Sequence, residues 1–181
     1  MGQRRMITMG EDIRTEFYDK VLEGNQIKEL VKVLLEKSGY LVLPYGYEST
    51  LSGLISKLGV RDTKKSRTVR RIKSSPDLLV FDDKRKDLML VEVKMRKAPE
   101  ETRILIYSRM ILNYKEFWND SILVIVVPCG NVLYAQRIVE LEGKEEYNAL
   151  VDFEKFENVF TDVKEEDLSR FKAKALRIMG K

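Results

Sequence analysis

The sequence predicts an α/β domain in which a mixed β-sheet carries helices on its faces. Three patterns lead there. Apolar residues recur at helical spacing in Ile27, Leu30, Val31, Leu34 and Leu35. Two β-type runs, DLLVFDD and LMLVEVKM, flank the polar stretch KRKD, which is the signature of a hairpin. SILVIVVP is a nearly continuous apolar run of the kind that forms a strand buried on both faces.

In chain order, Ile13, Phe17 and Val21 mark a first helical piece, and residues 25–38 form a helix that Gly39 stops. YLVLPY, from Tyr40, reads as a strand. Leu51, Leu54, Ile55 and Leu58 mark a short helix after Glu48 and Ser49, closed by Gly59, and the basic stretch that follows is expected as a loop. After the hairpin, Pro99 with Glu100 and Glu101 opens a helix whose Tyr107, Met110, Ile111, Tyr114 and Trp118 share one face. NVLYAQRIVEL is a further strand beside SILVIVVP. Asp162 and Glu165 have capping-box spacing ahead of a terminal helix carrying Leu168, Phe171, Ala175 and Met179. With 181 residues and 44% apolar composition the chain can bury one full core and is too short for two, so residues 1–181 are expected as a single domain. Its core spans about 25–128, and a strand and helical extension occupies 131–181.

Composition restricts the chemistry. No histidine is present, which removes Ser-His-Asp and Cys-His nucleophile systems, an imidazole base and His-ligated metals. Cys129 is the one cysteine, so disulfides within the chain and sites needing several thiolates are also excluded, and an intracellular, cytoplasmic setting is expected. The start, MGQRRMITMG, lacks the apolar stretch of a signal peptide, Met6 stands where a myristoylation signal needs Ser or Thr, and no apolar run is long enough to span a bilayer. A soluble protein with no membrane partner is expected. Any acid, base or metal chemistry must use carboxylates and lysines.

Charge is unevenly placed. Residues 61–73, RDTKKSRTVRRIK, hold seven Lys or Arg against Asp62, while Glu140 to Asp167 hold eleven acidic residues against Lys144, Lys155 and Lys164. A polyanion can bind only the first of these.

An acidic residue, any residue and a lysine occur together five times, at Asp62/Lys64, Asp82/Lys84, Glu92/Lys94, Glu142/Lys144 and Asp162/Lys164. Four of these sit among polar residues. Glu92 and Lys94 instead lie inside an apolar strand, where a charged pair needs a partner, a metal or a cleft. Two residues apart, they point to the same face. If Asp83 faces Leu88 across the hairpin, Asp77 falls opposite Lys94; if Asp82 faces Asp87, Asp77 falls opposite Glu92. Either register gathers Asp77, Glu92 and Lys94 on one side of the sheet. Two carboxylates without imidazole or thiolate suit Mg²⁺ or Mn²⁺, which fill their remaining positions with water and phosphate oxygen. Phosphodiester hydrolysis is the chemistry such a set serves.

The stretch SSPDLLVFDDKRKDLMLVEVK, with its Pro-Asp, hairpin spacing and Glu-x-Lys, resembles the PD-(D/E)XK nuclease superfamily, and the element order over residues 25–128 resembles its αβββαβ, restriction-endonuclease-like core. The resemblance implies a metal-dependent endonuclease acting on DNA, with Asp77 and Glu92 as metal ligands and Lys94 assisting catalysis. It also implies a further acidic residue on the first core helix. Glu29 and Glu36 lie about 160° to 200° from the apolar stripe and should face water. Glu23 projects near the stripe, and Glu48, just after the first strand, is the other candidate. Cys129 alone cannot hold the cysteine-ligated cluster of some exonuclease members, and residues 99–118 lack the Gln-x-x-x-Tyr motif of RecB-like members. Holliday-junction resolvases and restriction enzymes remain, and dimerisation is an expectation by analogy with them.

Lys64, Lys65, Arg67, Arg70, Arg71 and Lys73, immediately before Asp77, are the expected phosphate contacts, joined by Arg96 and Lys97 just past the catalytic strand. Tyr107, Tyr114 and Trp118 have the spacing of core residues rather than of base-stacking groups. Two other functions compete with the nuclease: a non-catalytic nucleic-acid-binding domain on the same fold, and an interaction protein using its acidic C-terminal third. In the plainest alternative, Pro76 and Asp77 merely start an edge strand, and Glu92 and Lys94 form a surface pair.

Overall fold

The computed structural model describes residues 4–46, 66–96, 103–128 and 130–180, with side chains from residue 18 onward. It is an α/β fold, a six-stranded mixed sheet between helical layers. Helix α1 (Arg4–Lys37) leads the chain and buries Ile27, Val31, Leu34 and Leu35 along one stripe. It runs unbroken through Gly24, although the sequence predicts two pieces. A mid-helix glycine costs only about 1 kcal/mol, which a helix packed along one face tolerates. Its end is a Schellman turn: Gly39 adopts φ +93°, its N–H donates to Glu36 O, and the Tyr40 N–H donates to Leu35 O.

Strands β1 (Leu41–Pro44), β2 (Leu78–Asp82) and β3 (Asp87–Met95) pair antiparallel in that order, with the short helix α2 (Arg67–Lys73) between β1 and β2 in the chain. The expected loop over residues 66–73 is therefore helical, and Ser66 caps it by accepting from the Val69 N–H. Asp82 faces Asp87, the second of the two registers left open by the sequence. A three-residue strand, β4 (Arg103–Leu105), precedes α3 (Ser108–Phe117), so that helix starts later than the Pro99 predicted for it. Strand β5 (Ile122–Val126) lies parallel to β3, and β6 (Leu133–Arg137) antiparallel to β5. β7 (Glu146–Asn148) pairs with β4 in a separate ribbon, α4 (Ala149–Asp152) follows, and β8 (Glu154–Lys155) extends the main sheet beside β6. The chain closes with α5 (Phe156–Val159) and α6 (Glu165–Ile178). The expected short helix at 51–58 lies outside the described residues. The expected core order, helix, three strands, helix, strand, is present in α1, β1 to β3, α3 and β5.

Two cores sandwich the sheet. α1, α5 and α6 cover one face through Val31, Phe156, Phe160 and Phe171 against Val80, Val91 and Val124. α3 and the β4/β7 ribbon cover the other through Ile111, Tyr114 and Tyr147 against Leu123, Ile125 and Tyr134. Strand β5 feeds both cores alternately, and this accounts for its unbroken apolar run. No described helix is long and apolar enough to cross a membrane.

Asp162 is not the helix cap that its spacing predicts, because α6 begins at Glu165 with Lys164 in the cap position and no side-chain cap bond. Instead it ties the C-terminal region to the hairpin turn. Arg85 pairs with buried Asp82, donates to Asp162 Oδ2 at 2.8 Å and reaches Thr161 Oγ1 at 2.7 Å, while Lys84 holds Asp162 Oδ1 at 2.9 Å. The hydrogen bond from Arg85 holds Asp82 below the usual carboxylate range, and those from Lys84 and Arg85 do the same for Asp162. A depressed folded-state pKa contributes stability that is complete above the unfolded value and is lost as pH falls through the folded one. Arg85→Met should therefore lower Tm at pH 7, and the gap to wild type should narrow as pH drops below about 4. Thermal unfolding followed by circular dichroism at pH 7, 4 and 2.5 tests this, and a gap constant with pH contradicts it.

Candidate active site

Strand lengths create the site. β3 has nine residues and its neighbour β2 only five, so beyond Leu78 the C-terminal part of β3 keeps β5 on one side and has no strand on the other. The Val93 N–H points into this gap and donates to Asp77 Oδ2 at 3.0 Å. The Asp77 carboxylate thus completes a ladder that the backbone leaves unfinished. Asp77 is itself fixed, since its carbonyl accepts from the Tyr45 and Gly46 N–H groups at 2.9 and 3.2 Å.

Glu92 and Lys94 project to the α3 side, level with Leu123 and Ile125 of β5. Glu92 is 2% exposed and its Oε1 is paired with the Lys94 ammonium. The Tyr114 hydroxyl is coupled to the same carboxylate from above, yet Glu92 Oε2 is buried without a hydrogen bond of ordinary geometry. Burial pushes the Glu92 carboxyl up to about 7, and the negative charge of Asp77 adds to this, against the opposing pull of Lys94 and Tyr114. Burial, with Glu92 beside it, raises the Tyr114 phenol well above its ordinary value, so it remains a neutral hydroxyl.

These groups line an open cleft of about 770 Å³ whose wall on α1 is formed by Asn25, Lys28, Glu29 and Lys32. Among the described residues the cleft holds Lys28, Lys32, Lys73, Lys94 and Arg109 against Glu29, Asp77 and Glu92, a surplus of cations suited to an anionic ligand. Lys28, which the sequence reading passed over, reaches Asp77 Oδ1 at 2.7 Å. Its place on the flank of the apolar stripe, next to buried Ile27, is visible in the sequence, whereas its pairing with Asp77 is not.

The other predicted residues fall in different places. Glu23 is half-buried on α1 and is not among the cleft-lining residues. Glu29 is exposed, as its angle predicts, and forms part of the cleft rim. Glu48, Lys64, Lys65 and Lys97 lie outside the described residues. Arg67 and Arg70 converge on Glu116 at 3.2 and 2.9 Å and lie over the Phe117 ring, and Arg71 lies over Trp118. The indole N–H of Trp118 donates to Arg71 O and Ser74 Oγ, and its ring meets Tyr45 edge-on. Within the described part of the basic segment, Lys73 is the cation that faces the cleft. Arg96 is half-buried and donates to its neighbour's carbonyl, Met95 O, at 2.9 Å. Of the three aromatics, Tyr114 is buried, Trp118 packs beneath α2, and Tyr107 is 80% exposed at the cleft mouth, contrary to its predicted core position. Tyr107 caps the start of α3 and so precedes the packed turns.

No set of three or more Asp, Glu, His or Cys side chains gathers around one point among the described residues, so a metal ion held here would rest on Asp77 and Glu92. The donor set fits a hard divalent ion: two carboxylates, one bearing a buried oxygen with no partner.

No family model matches the sequence, and no curated protein matches it either. Among solved structures, the chain is similar to Hjc, a Holliday junction resolvase from the archaeal hyperthermophile Archaeoglobus fulgidus. The match covers 77% of this chain and 99% of that one, with 13% sequence identity and a TM-score of 0.47.

The raised Glu92 pKa has a measurable consequence for stability. The folded protein holds the Glu92 proton more tightly than the unfolded chain, so this contribution is full below about pH 4.5 and is lost as pH rises through about 7. Wild type should lose on the order of 3 kcal/mol across that window, and Glu92→Gln should be nearly flat over it. Denaturant unfolding from pH 5 to 8 measures both, and a wild-type protein with no decline would show that Glu92 is ionised throughout.

Proposed function

We propose that the chain is a metal-dependent nuclease that hydrolyses phosphodiester bonds in DNA. One observation carries this reading: a buried glutamate with an unpartnered oxygen stands beside an aspartate and a lysine on the floor of a cation-lined cleft. A carboxylate so placed is costly unless a cation or proton answers it.

Asp77 and Glu92 would hold Mg²⁺ or Mn²⁺. The chemistry such an ion supplies when bound is stabilisation of charge on a phosphoryl oxygen and activation of water. This chain's own groups do the rest. Lys94, paired to Glu92 and 30% exposed, presents its ammonium to the reacting phosphate and offsets developing negative charge. Tyr114 keeps a neutral hydroxyl against Glu92 and closes the site on the α3 side. Lys73 and Arg109, both lining the cleft, draw the DNA backbone into it. Arg67, Arg70 and Arg71 act mainly by holding α2 to the end of α3. A domain that binds DNA without cutting it is favoured by a different observation, that both carboxylates already have ammonium partners.

Incubation with linear, circular, single-stranded and branched DNA, in Mg²⁺, Mn²⁺ or EDTA, separates the two. Asp77→Ala and Glu92→Ala should each lower cleavage by at least about a thousandfold while retaining the fold and most DNA affinity. Lys94→Ala should lose most activity and still bind the metal in calorimetry. Full activity in either carboxylate variant would remove the assignment.

The binding path has its own test. Replacing Lys32, Lys73 and Arg109 together with Ala should flatten the dependence of log affinity on log salt by up to about three units, with the metal chelated. Replacing Arg67, Arg70 and Arg71 should change that slope less and lower Tm, because their pairings with Glu116, Phe117 and Trp118 are lost. The opposite ordering of slopes would move the DNA path onto α2.

A further inference from the structure

We propose that Lys28 is a built-in counter-ion of the carboxylate pair: it occupies the cleft-side oxygen of Asp77 until a divalent cation displaces it, and so sets the affinity for that cation. This inference rests on the nuclease reading above, and its test can fail separately from it.

The argument begins with the two oxygens of Asp77. Oδ2 is committed to the Val93 N–H, a bond that anchors the carboxylate to the sheet. Oδ1 is the oxygen available to a ligand, and the Lys28 ammonium sits on it at 2.7 Å. On Glu92 the division is similar, with Lys94 on Oε1 and Oε2 unpartnered. Two carboxylates and two ammonium groups form a balanced set, and a doubly charged ion entering it must compete with a singly charged one already in contact. Lys94 follows Glu92 on the same strand and belongs to the site in any reading. Lys28 comes from a different element.

A purely structural role for the Lys28–Asp77 pair accounts for less. α1 is already fastened to the sheet by Ile27, Val31, Leu34 and Leu35, all buried. Asp77 is already held through its carbonyl and Oδ2. An ion pair whose lysine is 30% exposed adds little to that. With the backbone of α1 fixed, only the flexible lysine side chain has to move to release Oδ1, and the open cleft gives it room. Lys32, one turn along the same face, supplies a charge-matched comparison, since it pairs with Glu29 at 3.3 Å and Glu36 at 3.9 Å rather than with Asp77.

Mn²⁺ binding to the full chain without DNA, measured by calorimetry and electron paramagnetic resonance at pH 8, tests the assignment. Lys28→Met should bind Mn²⁺ about tenfold more tightly than wild type, because a competing cation beside the site is gone. Lys28→Gln should follow in the same direction, and Lys32→Met should stay within about twofold. In an Asp77→Asn background the Lys28→Met effect should vanish, which marks coupling through that carboxylate. Thermal unfolding run alongside confirms that each variant is folded. Unchanged or weaker Mn²⁺ binding in Lys28→Met and Lys28→Gln overturns the counter-ion role and leaves the nuclease reading standing if wild type still cleaves. No Mn²⁺ binding by wild type or by either Lys28 variant overturns both.

Discussion

The site depends on a mismatch between neighbouring strands. β3 outruns β2 and leaves amide groups facing a gap, and an unmet buried amide is expensive. The Asp77 carboxylate fills that role for Val93, and in doing so it is brought level with Glu92. The same missing strand opens the cleft in which Lys28, Lys73 and Arg109 gather. A β2 longer by two residues would have satisfied the ladder and closed the cleft together. The backbone ladder and the candidate site draw here on one irregularity, and Asp77 belongs to both.

Burial then sets the electrostatics. Glu92 lies between Leu123 on the next strand and Tyr114 on the covering helix, in surroundings that disfavour its charge. Lys94 partly answers that cost and Asp77 increases it. The result is a carboxyl that exchanges its proton near neutral pH, where small changes in nearby charge decide its state. Lys28 and Lys94 are therefore part of the site's charge balance as well as neighbours of it.

Much of this arrangement is legible in the sequence. Alternation along VEVK places Glu92 and Lys94 on one face whatever the register, and the polar KRKD between apolar runs marks the hairpin. The buried run of β5 and the stripe of α1 are equally plain. Other parts had no periodic signal to offer. β4 and β7 have three residues each, too few to show alternation, and their pairing spans some forty positions. The helix at Arg67–Lys73 buries none of its residues, so no apolar stripe announces it. Lys28 was unreadable for a different reason: its partner is forty-nine positions away, and only the docking of α1 across the sheet's open end brings the two together. Asp162 shows the converse, a local motif with the right spacing that a distant arginine claims instead.

The fastening of α2 to α3 ties neighbouring parts of the cleft to one helix. Tyr45 is packed on Trp118, and Arg67 and Arg70 are tied to Glu116. Both contacts end on the last turn and cap of α3, the helix whose Tyr114 lies against Glu92. The start of α2 and the residue after β1 are therefore indexed to the same helix that covers the buried carboxylate, and a shift of α3 would move all of them together.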